Sequence, residues 1–130
     1  MNTLKILMID DDEFIRKIYS SDWIERGWQV LLAQDGEEGL AKIISEKPDI
    51  VVLDVIMPKK NGFEVLTELK NQGLISKIPV IVFSHLVQPE DQAKARALGA
   101  VDYLNKDTTN FDSMYQIIMS HISSGLNQTV

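Results

Sequence analysis

The chain has 130 residues, 45% of them hydrophobic and 25% charged, so its size and composition are those of a single globular domain with a substantial core. It has no cysteine and only two histidines, His85 and His121, which excludes disulfides and thiolate metal sites and argues against a zinc site. The net charge of −6 predicts repulsion from nucleic-acid phosphates and from anionic membranes, so we expect no nucleic-acid binding and no membrane insertion.

The N-terminal apolar run, residues 4–9, is too short to span a bilayer, and it ends in three aspartates. A signal peptide would need a small-residue cleavage site after such a run, and none follows here. We therefore expect a cytoplasmic protein.

Short apolar runs alternate five times along the chain with stretches of helical periodicity. Each run has only a few residues, and most are rich in Val, Ile or Leu, which is typical of buried strands in a parallel sheet. The runs cover residues 4–9, 30–33, 50–53, 80–83 and 101–104. Most of the stretches between and after them place apolar residues three and four positions apart, as amphipathic helices do. The fourth stretch is alanine-rich and less clearly amphipathic.

Capping signals agree with these boundaries. Asp35 followed by Glu38 resembles a capping box, and Pro89 fits the first turn of a helix. Gly73 and Gly99 fall where helices should end. The pattern predicts an α/β domain of five βα units, with a parallel sheet, right-handed crossovers and helices on both faces. We expect this domain to span residues 1–124 and a short flexible tail to span residues 125–130.

Polar residues whose side chains can bind ligands or react follow the apolar runs. Because ligands of such sheets bind at the carboxyl ends of the strands, these positions are the ones to inspect. They hold Asp10, Asp11 and Asp12 after the first run, Asp54 after the third, Ser84 after the fourth and Lys106 just beyond the fifth.

Carboxylates that converge at one sheet edge repel each other unless a cation binds between them. A set of hard oxygen ligands favours Mg²⁺. A carboxylate can also attack phosphorus and form an aspartyl-phosphate, while a lysine and a serine hydroxyl contact the phosphate oxygens. The residue types therefore fit an aspartate that phosphorylates itself with the help of a metal ion.

The sequence resembles the receiver domains of two-component response regulators, including the stand-alone chemotaxis type. The resemblance covers residues 4–124 and rests on four segments in order: ILMIDDDEF, VVLDVIMPKKNGFEVL, VIVFS and GAVDYLNK. It implies a flavodoxin-like, doubly wound sheet in the order 2-1-3-4-5. It also implies a regulator that catalyses only its own phosphorylation and dephosphorylation. A sensor histidine kinase or a histidine phosphotransfer protein would donate the phosphoryl group, and a downstream protein target would read it.

The resemblance also implies a role for individual residues. Asp54 would accept the phosphoryl group, and Ser84, Tyr103 and Lys106 would bind the phosphate and switch the domain. Mg²⁺ would be held by Asp10, acting through water, and by Asp11, Asp54 and the backbone carbonyl of Ile56. The surface formed by the fourth helix, fifth strand and fifth helix would contact the target.

Four positions depart from the family pattern. Asp107 stands where receivers usually have a proline, commonly after a cis bond, so the Lys106–Asp107 bond is expected to be either trans or strained. His85 replaces a small residue and could narrow access to the acceptor. Ile56 and Leu86 are apolar where some receivers orient the hydrolytic water, so we expect slow autodephosphorylation.

Two other functions remain open at this point. LMIDDDEF also resembles the start of haloacid-dehalogenase-type phosphatases, in which Asp10 would be the nucleophile and Asp12 the acid/base. That reading gives Asp54 no role. The third function is that of an adaptor with receiver architecture that works without phosphorylation, which the substitutions at Ile56, His85 and Asp107 would allow.

Overall fold

Strands and helices alternate throughout the computed structural model, which describes residues 3–129, and their side chains up to residue 122. The strands are β1 (Lys5–Ile9), β2 (Gln29–Ala33), β3 (Ile50–Leu53), β4 (Val80–Ser84) and β5 (Asp102–Asn105). The helices are α1 (Glu13–Glu25), α2 (Gly36–Glu46), α3 (Gly62–Asn71), α4 (Pro89–Ala97) and α5 (Phe111–Thr129). The five predicted βα units are confirmed, and the strand bounds differ from the apolar runs by no more than one residue at either end.

The strands form one parallel sheet in the order β2-β1-β3-β4-β5, which confirms the doubly wound arrangement expected from the resemblance. Ile9 lies opposite Leu53 in the paired strands β1 and β3. The residues that follow them, Asp10 and Asp54, therefore leave the sheet side by side. Leu53 lies opposite Val82 in β4, and β4 continues two residues further to Ser84 at the same edge.

Side chains alternate between the two faces of the sheet and form two buried clusters. One face contributes Leu7, Val51 and Val82 to a cluster that continues into α2 and α3. The other contributes Met8 and Phe83 to a cluster with residues of α1 and α5. Burial of both faces explains why the central strands read as continuous apolar runs rather than as alternating patterns.

The helix ends follow the predicted signals with one difference. Asp35 accepts a hydrogen bond from Glu38 N (2.8 Å), but the Glu38 side chain accepts from Gln34 N (2.8 Å) rather than from the capping residue, so the capping box is incomplete. Gly73 and Gly99 have φ angles of 72° and 110°, which glycine adopts without strain.

The backbone of α5 runs to Thr129, and Val130 lies outside the described residues. The flexible tail over residues 125–130 stays a prediction. Of the helices that the structure describes, none has the combination of length and apolar character needed to cross a bilayer.

Candidate functional site

The carboxyl edge of the sheet brings together the residues that the sequence singled out. Asp10 and Asp11 follow β1, Asp54 follows β3, and Ser84 ends β4. Lys106 follows β5, and its backbone N–H donates to Ser84 O (3.0 Å). These side chains meet because the sheet is parallel, so every strand ends at the same edge.

Three carboxylates form the centre of the site. Asp10, Asp11 and Asp54 each offer one oxygen, and these oxygens all lie within 4.8 Å of one another. Asp10 and Asp54 are buried, whereas Asp11 is exposed to solvent. A buried pair of carboxylates with a third at the solvent boundary is a hard, oxygen-only ligand set, which fits Mg²⁺.

Lys106 supplies a positive charge inside this cluster. Its Nζ lies 2.7 Å from Asp10 Oδ2 and 2.9 Å from Asp54 Oδ2, and only 3% of its side chain is exposed. Burial alone would lower the pKa of Lys106, but the hydrogen bonds to both carboxylates outweigh burial and raise the pKa. The ammonium group therefore stays charged and partly offsets the repulsion between the two aspartates.

Burial raises the pKa of Asp10, although the hydrogen bonds from Lys106 and from Asp12 N lower it in part. Asp12 N donates to Asp10 Oδ1 (2.9 Å), and Ile56 N donates to Asp54 Oδ1 (3.2 Å). One oxygen of each buried carboxylate is thus fixed by the backbone, and the other contacts Lys106.

Asp12 has a structural role. Its carboxylate accepts hydrogen bonds from Phe14 N (2.9 Å) and Ile15 N (3.2 Å) and so caps α1. The phosphatase alternative assigns Asp12 the acid/base role, whereas here one oxygen of its carboxylate caps the helix.

Ser84 and Tyr103 are both buried, and both bind the loop between β4 and α4. Ser84 Oγ accepts from Leu86 N (3.1 Å), and the Tyr103 hydroxyl donates to Leu86 O. Burial, together with the charges of Asp91 and Asp54, raises the pKa of Tyr103 to about 12. The phenol therefore stays neutral and can act as the donor of that hydrogen bond.

Two of the unusual residues contact each other. His85 Nδ1 lies 3.1 Å from Asp107 Oδ1, and more than half of each side chain is exposed. The Lys106–Asp107 bond is trans, since no cis peptide bond occurs in the part of the chain that the structure describes. Asp107 N donates to Asn105 Oδ1 (2.8 Å), which forms the turn after β5.

Three further residues hold the site in place; sequence reasoning missed two of them, and the third, Gly62, belongs to the segment VVLDVIMPKKNGFEVL that carries the resemblance. Arg16 donates from its guanidinium to Asp10 O (2.7 Å), and no sequence signal pointed to it. Asn105 could have been found as a turn-forming residue before Lys106. Gly62 packs against the backbone at Asp54 and Val55 so closely that a Cβ there would overlap both.

Comparisons with known proteins agree with this geometry. The sequence model of the family "Response regulator receiver domain" matches residues 6–118. The "Alkaline phosphatase synthesis transcriptional regulatory protein PhoP" of Bacillus subtilis (strain 168) is 39% identical over 102 residues, 78% of this chain and 42% of that protein. The chain therefore spans less than half the length of this relative.

Two solved structures have the same fold. The chemotaxis protein CheY4 of Vibrio cholerae matches with a TM-score of 0.84 and 28% identity, covering 92% of this chain and 98% of that one. The CheX-CheY-BeF3-Mg+2 complex from Borrelia burgdorferi contains a chain with a TM-score of 0.82 and 27% identity, covering 90% of this chain and 87% of that one.

The family match covers most of the described chain and includes all four strand ends that carry the site. The neighbouring structures share the fold, and the sheet order that the resemblance implied is the one observed in this chain. The chain is therefore a member of the response regulator receiver domains of two-component signalling.

Proposed function

We propose that this receiver domain accepts a phosphoryl group on Asp54 from a phosphohistidine of a sensor histidine kinase or a histidine phosphotransfer protein. The observation that carries the proposal is the position of the Asp54 carboxylate, 2.9 Å from the buried Lys106 ammonium and within 4.8 Å of the Asp10 and Asp11 oxygens. A carboxylate in such surroundings can attack a phosphoryl group whose charge is neutralised by its neighbours.

The proposed step forms one bond and breaks one. An Asp54 oxygen bonds to phosphorus while the bond between phosphorus and the imidazole nitrogen of the donor breaks, and the imidazole leaves. Asp10, Asp11 and Asp54, with the carbonyl of Ile56, would hold Mg²⁺, which neutralises charge on the transferred group when bound. Lys106 would move from carboxylate to phosphate contacts with its charge unchanged.

The switch residues lie where a new phosphate could act on them. The Ser84 hydroxyl accepts a hydrogen bond from Leu86 N, so its own proton remains available to a phosphate oxygen. Movement of Ser84 would disturb the same loop that Tyr103 holds through Leu86 O. We propose that phosphorylation changes the populations of two loop conformations and thereby the surface of α4, β5 and α5.

The output partner is proposed to be a protein that binds this surface. Relatives such as PhoP are transcriptional regulators longer than this chain, so the expectation of no nucleic-acid contact stays a prediction about residues 1–130 alone. Cytoplasmic location likewise stays a prediction.

Incubation with acetyl phosphate and Mg²⁺, followed by intact-mass measurement, tests the proposal. The wild type should gain the mass of one phosphoryl group, Asp54→Asn should gain none, and EDTA should prevent the gain. Asp12→Asn is the matched control, because Asp12 caps α1 and does not belong to the carboxylate cluster. Turnover of free phosphomonoesters that survives in Asp54→Asn would support the phosphatase, and a wild type that takes no phosphoryl group from any donor would support the adaptor.

A further inference from the structure

Two loops at the carboxyl edge of the sheet, those that follow β4 and β5, are joined by a side-chain contact that the usual family residues could not make. His85 lies in the loop between β4 and α4, and Asp107 lies in the loop between β5 and α5. Their side chains meet at 3.1 Å, from His85 Nδ1 to Asp107 Oδ1. A small residue in place of His85 would not reach the second loop, and a proline in place of Asp107 would offer no carboxylate.

Each partner of this contact is adjacent to a residue of the proposed site. Ser84, which precedes His85, is fully buried at the end of β4. Lys106, which precedes Asp107, binds Asp10 and Asp54. The backbones of the two loops also meet, since Lys106 N donates to Ser84 O (3.0 Å). The contact, between two exposed side chains, therefore ties the serine loop to the lysine loop.

We propose that the His85–Asp107 contact is a clasp that restricts access to Asp54, so that small phosphodonors and water reach the acceptor slowly. The proposal rests on the phosphoacceptor function of Asp54. His85 and Asp107 act through loop position and access, and they are therefore positioning residues. In the clasp, Asp107 holds the imidazole across the gap between the loops.

The exposure of both side chains limits the effect of the clasp. A contact between two exposed side chains is weak because water competes for both partners, so the clasp opens readily. We expect its loss to raise the rates of phosphoryl uptake from acetyl phosphate and of subsequent hydrolysis by about two- to fivefold, the range that an exposed ion pair can produce.

Asp107→Ala is the diagnostic variant, because it leaves the His85 ring in place without its tether. It should accelerate both uptake and hydrolysis. The double variant His85→Ala/Asp107→Ala should have the same rates of uptake and hydrolysis as His85→Ala within error. Asp107→Asn keeps an oxygen at the same position, so its rates should stay close to those of the wild type. If the two alanine effects simply add, or if Asp107→Asn behaves like Asp107→Ala, the clasp is contradicted.

Nitrogen-15 NMR of the two histidines at alkaline pH reports the contact without phosphorylation. His85 should populate the Nδ1–H tautomer in the wild type and lose it in Asp107→Ala. His121, whose Nε2 lies 3.3 Å from Asp102, is the internal control and should not change. The clasp is overturned if the His85 tautomer is the same in the wild type and in Asp107→Ala. It is also overturned if the wild type is phosphorylated and its uptake and hydrolysis rates equal those of Asp107→Ala. Both outcomes leave the proposed function of Asp54 standing. A wild type that accepts no phosphoryl group contradicts both proposals.

Discussion

Replacing Lys106 by methionine tests whether the lysine compensates the buried carboxylates. The substitution keeps a long apolar stem and removes an ammonium that lies 2.7 Å from Asp10 and 2.9 Å from Asp54, with 3% of the side chain exposed. Removing one partner of a buried ionic contact typically costs about 3–5 kcal/mol, because the remaining charge stays buried and unpaired. Asp11, at the solvent boundary, is another carboxylate and cannot replace the missing positive charge. We expect the free energy of unfolding in EDTA to fall by about 3 kcal/mol, the lower end of that range.

The same reasoning predicts how the loss depends on pH and metal. Burial already raises the pKa of Asp10 above its value in the unfolded chain, and loss of Lys106 should raise it further. A raised pKa means that the folded state binds more protons than the unfolded state, so stability increases as pH falls. The deficit of Lys106→Met should therefore shrink as the pH falls toward the ordinary pKa of an aspartate. Mg²⁺ should also shrink it, because a bound cation replaces the missing charge.

Urea denaturation followed by fluorescence of the buried Trp23 measures these differences. Lys59→Met is the matched control, since the Lys59 side chain is 62% exposed and its Nζ lies 3.8 Å from Asp35. Because the Lys59 side chain is exposed and its distance from Asp35 is long, the substitution should change the free energy of unfolding by less than about 1 kcal/mol. If Lys106→Met proves as stable as the wild type in EDTA, with the same pH dependence, the lysine does not offset the carboxylate charges.

Three further predictions concern single residues near the acceptor. The pKa of the Tyr103 phenol is raised to about 12, so the protein should show an ultraviolet absorbance step near that pH which Tyr103→Phe lacks. The contribution of the neutral phenol to stability is present below about pH 10 and is lost as the pH rises through about 12. Gly62→Ala should lower both stability and phosphoryl uptake, measured by denaturation and intact mass, because the added Cβ overlaps the backbone at Asp54; wild-type values in both assays would contradict this. Wild-type phosphoprotein should lose its label slowly, and Ile56→Asn, which offers an amide to orient water, should lose it several times faster; rapid loss from the wild type would contradict the expectation.

The sequence was sufficient to predict the parts of the site that depend on strand ends. Asp10 and Asp54 follow apolar runs in adjacent parallel strands, and the register places Ile9 opposite Leu53, so their meeting follows from topology. Lys106 could be placed near them for the same reason. Local helix signals were also readable, because Asp12 caps α1 through bonds to residues two and three positions away.

Contacts between loops could not be predicted in the same way. His85 and Asp107 were each recognised as unusual, but their contact depends on the paths of two loops that have no periodic pattern. The same limit applies to Tyr103, whose partner is the backbone carbonyl of Leu86 rather than a side chain that the sequence could suggest. The Arg16 guanidinium donates to Asp10 O, six residues earlier in the chain, and the sequence alone does not specify this contact.

The most direct measurement of the central claim is the position of the acyl phosphate within the chain. Protein treated with acetyl phosphate and Mg²⁺ is reduced with borohydride, which converts an aspartyl-phosphate to homoserine, and its peptides are analysed by mass spectrometry. We expect homoserine at residue 54 alone, and none when the donor is omitted. Homoserine at residue 10 or 11 with Asp54 unmodified would contradict it.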